Sequence, residues 1–244
     1  MKIGIIIPTK NEEKHLPLLA DSIKNQDYKN YKVFVADANS NDNTRKIAKD
    51  YGFKIVEGGM PFTGRNNGAD EAINNGCELL IFIDADIILP THRFLSKAIS
   101  EFRSRQLDIA GTFQRPYKLN EYKNISFDSP FKYKLIYYMA NIAMDMLKST
   151  KRPMFQVCMF ATATAHQKIG GFKNLEYGED SRYSTDGKQL GLKFGMLKST
   201  EKVLISPRRF EEKGFIRSGT PKLLMNVLIG QKYFYDENNK VYFT

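Results

Sequence analysis

The clearest absences in this sequence concern cysteine, tryptophan and long apolar runs. Its 244 residues include two cysteines, three histidines and no tryptophan. Cys77 and Cys158 are too few and too far apart for a disulfide framework or a zinc site. No apolar run reaches the roughly 20 residues that a membrane-spanning helix needs, and the first residues do not resemble a secretory signal. We therefore expect a globular cytoplasmic protein that touches a membrane, if at all, only at its inner face.

Positive charge is what the sequence has in excess. Lysine and arginine number 37 against 27 acidic residues, which gives a formal net charge of +10. Such a charge favours an anionic partner: nucleic acid, an acidic membrane surface or a phosphorylated small molecule. The 42% of hydrophobic residues is enough to fill a sizeable core. Composition alone leaves the partner open.

Short aliphatic runs alternate with longer polar segments in the first half of the chain. This alternation is typical of parallel strands joined by crossover helices, and it predicts an α/β fold with a doubly wound, mostly parallel sheet and flanking helices. In such sheets ligands bind beyond the carboxyl ends of the strands. The predicted strands cover residues 3–7, 32–36, 53–56 and 79–83.

Polar residues follow several of these predicted strands directly. Thr9 follows the first strand, Asp37 the second, and Asp84 and Asp86 the fourth. The fourth run is so apolar that an unpaired carboxylate beside it would cost several kcal/mol. A hard cation such as Mn²⁺ or Mg²⁺, together with a diphosphate, would compensate that charge.

Five segments, in this order, resemble the inverting family 2 glycosyltransferases, which have the GT-A (nucleotide-diphospho-sugar transferase) fold. They are IIIPTKNEE at 5–13, VADANSNDNT at 35–44, GRNNGADEA at 64–72, FIDADIILP at 82–90, and GGF at 170–172 followed by GED at 178–180. The resemblance covers residues 1–90 and 170–180. It implies metal-dependent transfer of a sugar from a nucleotide-diphosphate sugar to an acceptor hydroxyl or lipid phosphate, with inversion.

The resemblance also implies a place for each residue of the nucleotide side. Pro8, Thr9 and Glu12 would lie near the nucleotide. Asp37 would contact the base, and Arg65 would reach the base or the diphosphate, since its planar fork suits phosphate. The alternative for Arg65 is a solvated arginine at the start of a helix. The family often has a second acid after Asp37, where this chain has Ala38, so the base stays open.

On the reaction side the resemblance assigns three carboxylates. Asp84 would face the ribose, Asp86 would bind Mn²⁺ or Mg²⁺, and Asp180 would be the catalytic base, the single general base that inversion by direct displacement needs. Glu179 and Asp180 have an alternative explanation, because acidic residues favour the first turn of a helix. The missing tryptophan excludes the Gln-x-x-Arg-Trp signature of processive synthases in this family, so we expect single additions.

The second half of the chain carries weaker signals. Arg208 and Arg209 lie in a basic segment that either closes over diphosphate or is a solvated loop. The stretch from Phe131 to Leu147 is either a core helix or an interfacial helix near a lipid-linked acceptor. His166 is a weak candidate for an acceptor-side or metal contact. We expect one domain over residues 1–220, divided into a nucleotide-sugar half (1–110) and an acceptor half (111–220), and an amphipathic extension over 221–244.

Two other functions compete with glycosyl transfer. A sugar-phosphate nucleotidyltransferase usually has a glycine-rich loop after its first strand, and this chain has PTKNEE there. A basic non-catalytic module would bind membrane or nucleic acid through its charge. The aromatic residues are not interleaved with the basic ones as a nucleic-acid reader requires, so we expect no nucleic-acid partner.

Overall fold

The computed structural model describes residues 1–119, 125–126, 129–151, 153, 157–175, 178–208 and 210–211. The first half contains β1 (Ile3–Thr9), α1 (Leu16–Lys24), β2 (Tyr31–Asp37), α2 (Thr44–Asp50), β3 (Lys54–Glu57), α3 (Pro61–Asn74), β4 (Leu79–Ile83), β5 (Ile87–Ile88) and α4 (Phe94–Ser104). The second half contains β6 (Ile109–Gly111), β7 (Gln114–Pro116), β8 (Lys118–Leu119), β9 (Ile125–Ser126), α5 (Phe131–Leu147), β10 (Cys158–Thr162), α6 (Ala163–Ile169), α7 (Glu179–Gln189), β11 (Phe194–Met196) and β12 (Val203–Ile205).

A seven-stranded sheet forms the centre of the molecule, with strand order β11-β6-β10-β4-β1-β2-β3. β1 lies parallel to β2 and β4, and β3 lies parallel to β2. β10 alone runs antiparallel to its neighbours, β4 and β6. Helices flank this sheet, which confirms the predicted doubly wound, mostly parallel fold. A smaller sheet of order β5-β12-β7 stands at its side.

The two faces of the main sheet are covered by different apolar layers. Ile3, Ile5 and Ile7 of β1 pack in one core cluster, and Ile6 packs in the other. This follows from the strand geometry, because successive side chains point to opposite faces. Every residue of β4 is buried, as expected for a strand covered on both faces.

Two glycines let α3 lie unusually close to β1. A Cβ added to Gly68 of α3 would lie 2.5 Å from Ile6 Cγ2, and one added to Gly4 of β1 would lie 2.5 Å from Ala72 Cβ. Any larger residue at either place would push the helix from the sheet. The close packing fixes the position of Arg65, one turn before Gly68, at the carboxyl end of the strands.

The helix predicted from Phe131 to Leu147 has the predicted bounds. Its buried face is that of a core helix, and the interfacial explanation stays a prediction. One face is buried, where the Asn141 side chain accepts from the Gln114 N–H at 3.0 Å and donates to its carbonyl at 2.7 Å. The opposite face is apolar and exposed. Among the described residues, none of the helices is long and apolar enough to cross a membrane.

Candidate functional site

The carboxyl ends of β1, β2 and β4 bring the predicted polar residues to one edge of the sheet. Thr9, Asp37 and Asp84 lie at or directly after those ends, and Asp86 follows two residues later. Pro8 lies beside α3, with its Cβ 3.5 Å from where a Cβ on Gly64 would stand. The edge is the place where the strand topology predicted a ligand site.

Asp37 is buried and is held by its own loop. Its Oδ1 accepts hydrogen bonds from Thr9 Oγ1 at 3.2 Å and from Ser40 Oγ at 2.5 Å. Its Oδ2 accepts from the Ser40 N–H at 3.1 Å and from Arg45 Nη1 at 3.4 Å. The carboxylate is therefore fixed in direction at the end of β2, and the contact with a nucleotide base stays a prediction.

Arg65 connects two carboxylates that are far apart in the sequence. Its Nη2 donates to Asp84 Oδ1 at 2.8 Å, and its Nη1 donates to Glu179 Oε1. The guanidinium also lies 5.5 Å from the centre of the Phe172 ring. Burial alone would lower the pKa of Arg65, but the charges of Asp84, Glu179 and Asp180 raise it. The solvated alternative is wrong, since Arg65 is 7% exposed and ties the end of β4 to the start of α7.

Arg208 forms a second bridge on the other side of the edge. Its Nε donates to Asp86 Oδ2 at 3.1 Å, and its Nη2 donates to Glu12 Oε1 at 2.5 Å. Glu12 Oε2 is buried with no hydrogen-bond partner among the described residues. Burial raises the pKa of Glu12, Arg208 opposes that rise, and Asp86 and Asp84 add to it. Arg208 therefore supplies positive charge where two carboxylates converge, while Arg209 lies outside the described residues.

Asp180 stands in the first turn of α7, directly after the residue that Arg65 holds. Gly178 caps the helix in the left-handed conformation, with φ of 76°. Asp180 Oδ1 accepts from the Ser181 N–H at 2.7 Å. Its charge is one of those that raise the pKa of Arg65, which places the carboxylate near the edge. The assigned role as base stays a prediction.

His166 lies in the core and not at this edge. Its Nδ1 is 3.1 Å from the hydroxyl of Tyr183, and its ring packs among those of Phe82, Phe172 and Tyr183. Burial lowers the pKa of His166 to about 4, so the imidazole is neutral at pH 7. The interpretation of His166 as an acceptor-side or metal contact is therefore wrong, because its partners are aromatic core residues.

Several residues of the site were not found by sequence reasoning. Tyr117 is buried beside the edge, 3.2 Å from His15 Nδ1 and 3.5 Å from the Asp86 carbonyl oxygen. Phe210 packs against Tyr133 and Tyr137 of α5, with ring centres 5.9 Å apart in both pairs. No motif marks Tyr117 or Phe210, so no sequence signal pointed to them. Phe210 anchors the segment that carries Arg208 on α5.

An open cleft of about 430 Å³ lies next to Arg208 and the end of β1. Polar side chains predominate around it, which suits a charged ligand better than an apolar one. The lining residues are Asn11, Glu13, Lys14, His15, Asn41, Asp42 and Arg208.

Comparison with protein families identifies the chain. The model of Glycosyl transferase family 2 matches residues 4–163, about two thirds of the sequence, and the chain belongs to that family. The match ends at the first residue of α6, so it includes Asp37, Arg65, Asp84 and Asp86 and leaves out Asp180 and Arg208.

Two curated relatives show how far the likeness extends. A 4,4'-diaponeurosporenoate glycosyltransferase of Staphylococcus haemolyticus is 24% identical over 225 residues, covering 88% of this chain and 55% of that protein. A GalNAc(5)-diNAcBac-PP-undecaprenol beta-1,3-glucosyltransferase of Campylobacter jejuni is 31% identical over 94 residues, covering 35% of this chain and 29% of that protein. The chain thus spans at most about half the length of these relatives.

Solved structures share the fold. S. aureus TarS 1-349 in complex with UDP has a TM-score of 0.62 at 18% identity, covering 84% of this chain and 60% of that one. The mannosyltransferase PcManGT from Pyrobaculum calidifontis, in complex with GDP-Man and Mn²⁺, has a TM-score of 0.62 at 16% identity. The likeness covers 91% of this chain and 64% of that one. At these identities the likeness concerns the fold alone.

Proposed function

We propose that this chain is a glycosyltransferase that moves one sugar at a time from a nucleotide-diphosphate sugar to an acceptor hydroxyl or a lipid phosphate, with inversion. The observation that carries this proposal is the convergence of Asp37, Arg65, Asp84, Asp86 and the start of α7 at one edge of the sheet. Family membership supports it, as do the UDP bound by one structural neighbour and the GDP-Man bound by the other.

Asp86 is the residue that would hold a divalent cation. Sites for Mg²⁺ and similar ions commonly use one or two carboxylates, with donor phosphates completing the shell. Asp86 at the strand end and the unpartnered Glu12 Oε2 are oxygen donors of that kind, so the residues fit Mn²⁺ or Mg²⁺. When bound, the cation stabilises the negative charge of the departing diphosphate. Arg208 would then be free to turn toward a diphosphate oxygen, and Arg209 is proposed to act beside it.

Asp180 is proposed to act on the acceptor side. It would take the proton of the acceptor hydroxyl as that oxygen bonds to the anomeric carbon and the bond to the diphosphate breaks. Attack opposite the leaving group inverts the anomeric centre. The Arg65 bridge supports this role, because it fixes Glu179 and so the first turn of α7 relative to Asp84.

The remaining assignments rest on weaker support. We propose that residues 1–110 bind the donor, that 111–220 bind the acceptor, and that 221–244, which lie outside the described residues, form an extension. A lipid-linked acceptor is supported by the undecaprenol-linked name of the Campylobacter relative. Such an acceptor would place the protein at the cytoplasmic face of a membrane.

Calorimetric titration of UDP, GDP, CDP and dTDP with and without Mn²⁺ tests the donor side. We expect one nucleotide to bind in a metal-dependent way, and Asp86→Asn to weaken that binding at least about tenfold, because a carboxylate ligand is lost. Asp70→Asn is the matched control, since Asp70 is exposed on α3. Failure of all four nucleotides to bind, or equal binding in both variants, would overturn the proposal.

A further inference from the structure

The exposed face of α5 is an apolar feature that the proposed function does not use. Six large apolar side chains project from one side of this helix, and Phe131 and Met146 at its two ends are 77% and 72% exposed. With 3.6 residues per turn, the six fall within an arc of about 100°. We call this set the α5 strip: Phe131, Leu135, Tyr138, Met139, Ile142 and Met146.

The helix is held so that the α5 strip cannot turn inward. On the opposite side Tyr133, Tyr137 and Met144 are buried, and Asn141 makes two hydrogen bonds to the backbone of Gln114. Rotation of the helix would leave those backbone groups unpaired, which is costly in the interior. The apolar strip is therefore a fixed feature of the surface.

Two lysines flank the α5 strip. Lys132 and Lys134 are exposed, and helical geometry places one on each side of the strip. Asp145 is the only acidic residue of the helix, and it is paired with Lys148 at 2.5 Å and with Lys198 at 3.5 Å. An apolar strip between lysines is the pattern of a helix that lies in the plane of a membrane, with its cations at the headgroups.

We propose that the α5 strip docks on an anionic lipid bilayer. Charge complementarity favours this occupant over a second copy of the chain, because each copy carries a net charge of +10 and the copies would repel one another. The inference extends the proposed function, since a lipid-linked acceptor would be met at a bilayer. Its test measures lipid binding and not sugar transfer, so the docking proposal and the proposed function can fail separately.

Vesicle co-sedimentation of the full chain provides the test. We expect binding to equimolar phosphatidylcholine and phosphatidylglycerol, and much weaker binding to phosphatidylcholine alone. Leu135→Glu should reduce binding to the mixed vesicles at least about tenfold, because the charge would enter the apolar layer. Lys132→Gln with Lys134→Gln should weaken it several-fold, and only for the anionic vesicles.

Leu190→Glu is the matched control for the strip. Leu190, directly after α7, is 44% exposed and Leu135 of α5 is 47% exposed, so the two substitutions add the same charge at equally accessible leucines in different places. The control should bind vesicles like the unaltered chain. If Leu135→Glu and Leu190→Glu behave alike, or if the unaltered chain binds neither vesicle, the proposal is wrong.

A fluorescent label distinguishes the bilayer from other occupants. Cys77 and Cys158 are buried, so Met139→Cys provides the one exposed thiol of the described residues for an environment-sensitive dye. A blue shift of the dye only after vesicles are added supports the proposal. A blue shift without lipid that does not depend on concentration would mean that the chain itself, such as residues 212–244, covers the strip. A blue shift without lipid that depends on protein concentration would mean that a second copy of the chain covers the strip. Either result would overturn docking on lipid.

Discussion

At the level of single residues, two arginines hold the carboxylates of the site. Arg65 joins Asp84 to Glu179, and Arg208 joins Glu12 to Asp86. Breaking one partner of a buried ion pair costs about 3–5 kcal/mol, because the other charge is left without compensation. The acids that follow the apolar strand β4 are thus tolerated in the interior through arginine, in addition to any cation that a donor brings.

Asp180→Asn tests the proposed base. Asparagine keeps an oxygen that can accept from the Ser181 N–H but cannot take a proton, so the helix start should stay intact. We expect kcat to fall by about 100-fold or more, with nucleotide affinity unchanged. The measurement is the rate of nucleoside-diphosphate release at saturating donor, with calorimetry for the affinity.

Asp186→Asn on the same helix is the control for that substitution. Asp186 is paired with Arg182 at 2.6 Å and has no place in the proposed reaction. Its kcat should stay close to that of the unaltered chain. Equal rates for the Asp180 and Asp186 variants would exclude Asp180 as the base.

Residues at strand ends could be predicted from the sequence, and their partners could not. Thr9, Asp37 and Asp84 were found because a parallel sheet places its ligands at one edge. The Arg65–Glu179 contact joins residues 114 positions apart, and the Arg208–Glu12 contact joins residues 196 positions apart. No local pattern encodes such pairs, so neither bridge was predicted.

At the level of elements, the contact of α3 with β1 depends on Gly68. Gly68→Ala should lower the free energy of unfolding by about 1–3 kcal/mol, because the new methyl overlaps Ile6, which is fully buried and cannot move aside. Urea unfolding followed by circular dichroism measures the change. Asp70→Ala, on the exposed side of α3, is the control and should stay within about 0.5 kcal/mol. An unchanged midpoint for Gly68→Ala would mean that α3 can shift without cost.

The strands β1 to β4 agree with the sequence prediction to within two residues. They have strong periodicity and are bounded by turn residues such as Gly52 and Gly76, which adopt φ of 71° and 75°. The reversed direction of β10 was not predicted, since an apolar run reads the same in either orientation. β5, β7 and β12 have two or three residues each, too few to show a period.

For the molecule as a whole, two histidines, His166 in the core and the half-buried His15, make stability depend on pH. Burial is the largest cause that lowers the pKa of His15 and His166 to about 4 in each case, from 6.5. The unfolded chain therefore binds more protons between pH 6.5 and 4, and the folded state loses stability as the pH falls through that range. His166, which is almost fully buried, contributes up to about 3 kcal/mol to that loss, and the more accessible His15 contributes less.

His166→Phe should make this pH dependence shallower. The phenyl ring keeps the aromatic packing and does not titrate, but the Tyr183 hydroxyl loses its partner. We expect lower stability at pH 7, by about 1–3 kcal/mol, and a smaller fall between pH 6.5 and 4. Urea unfolding at a series of pH values measures both effects. If the slope is as steep in His166→Phe as in the unaltered chain, His166 does not titrate as described.

The continuous main sheet has a consequence for protein engineering. β10, from the second half of the chain, is hydrogen-bonded to β4 on one side and to β6 on the other. The proposed donor and acceptor halves are therefore not exchangeable modules, because a junction near residue 110 would pair a foreign β10 with a resident β4. A chimaera between relatives should instead graft the segments that leave the sheet and return to it, such as α5 with its flanking loops, and keep the seven strands from one parent.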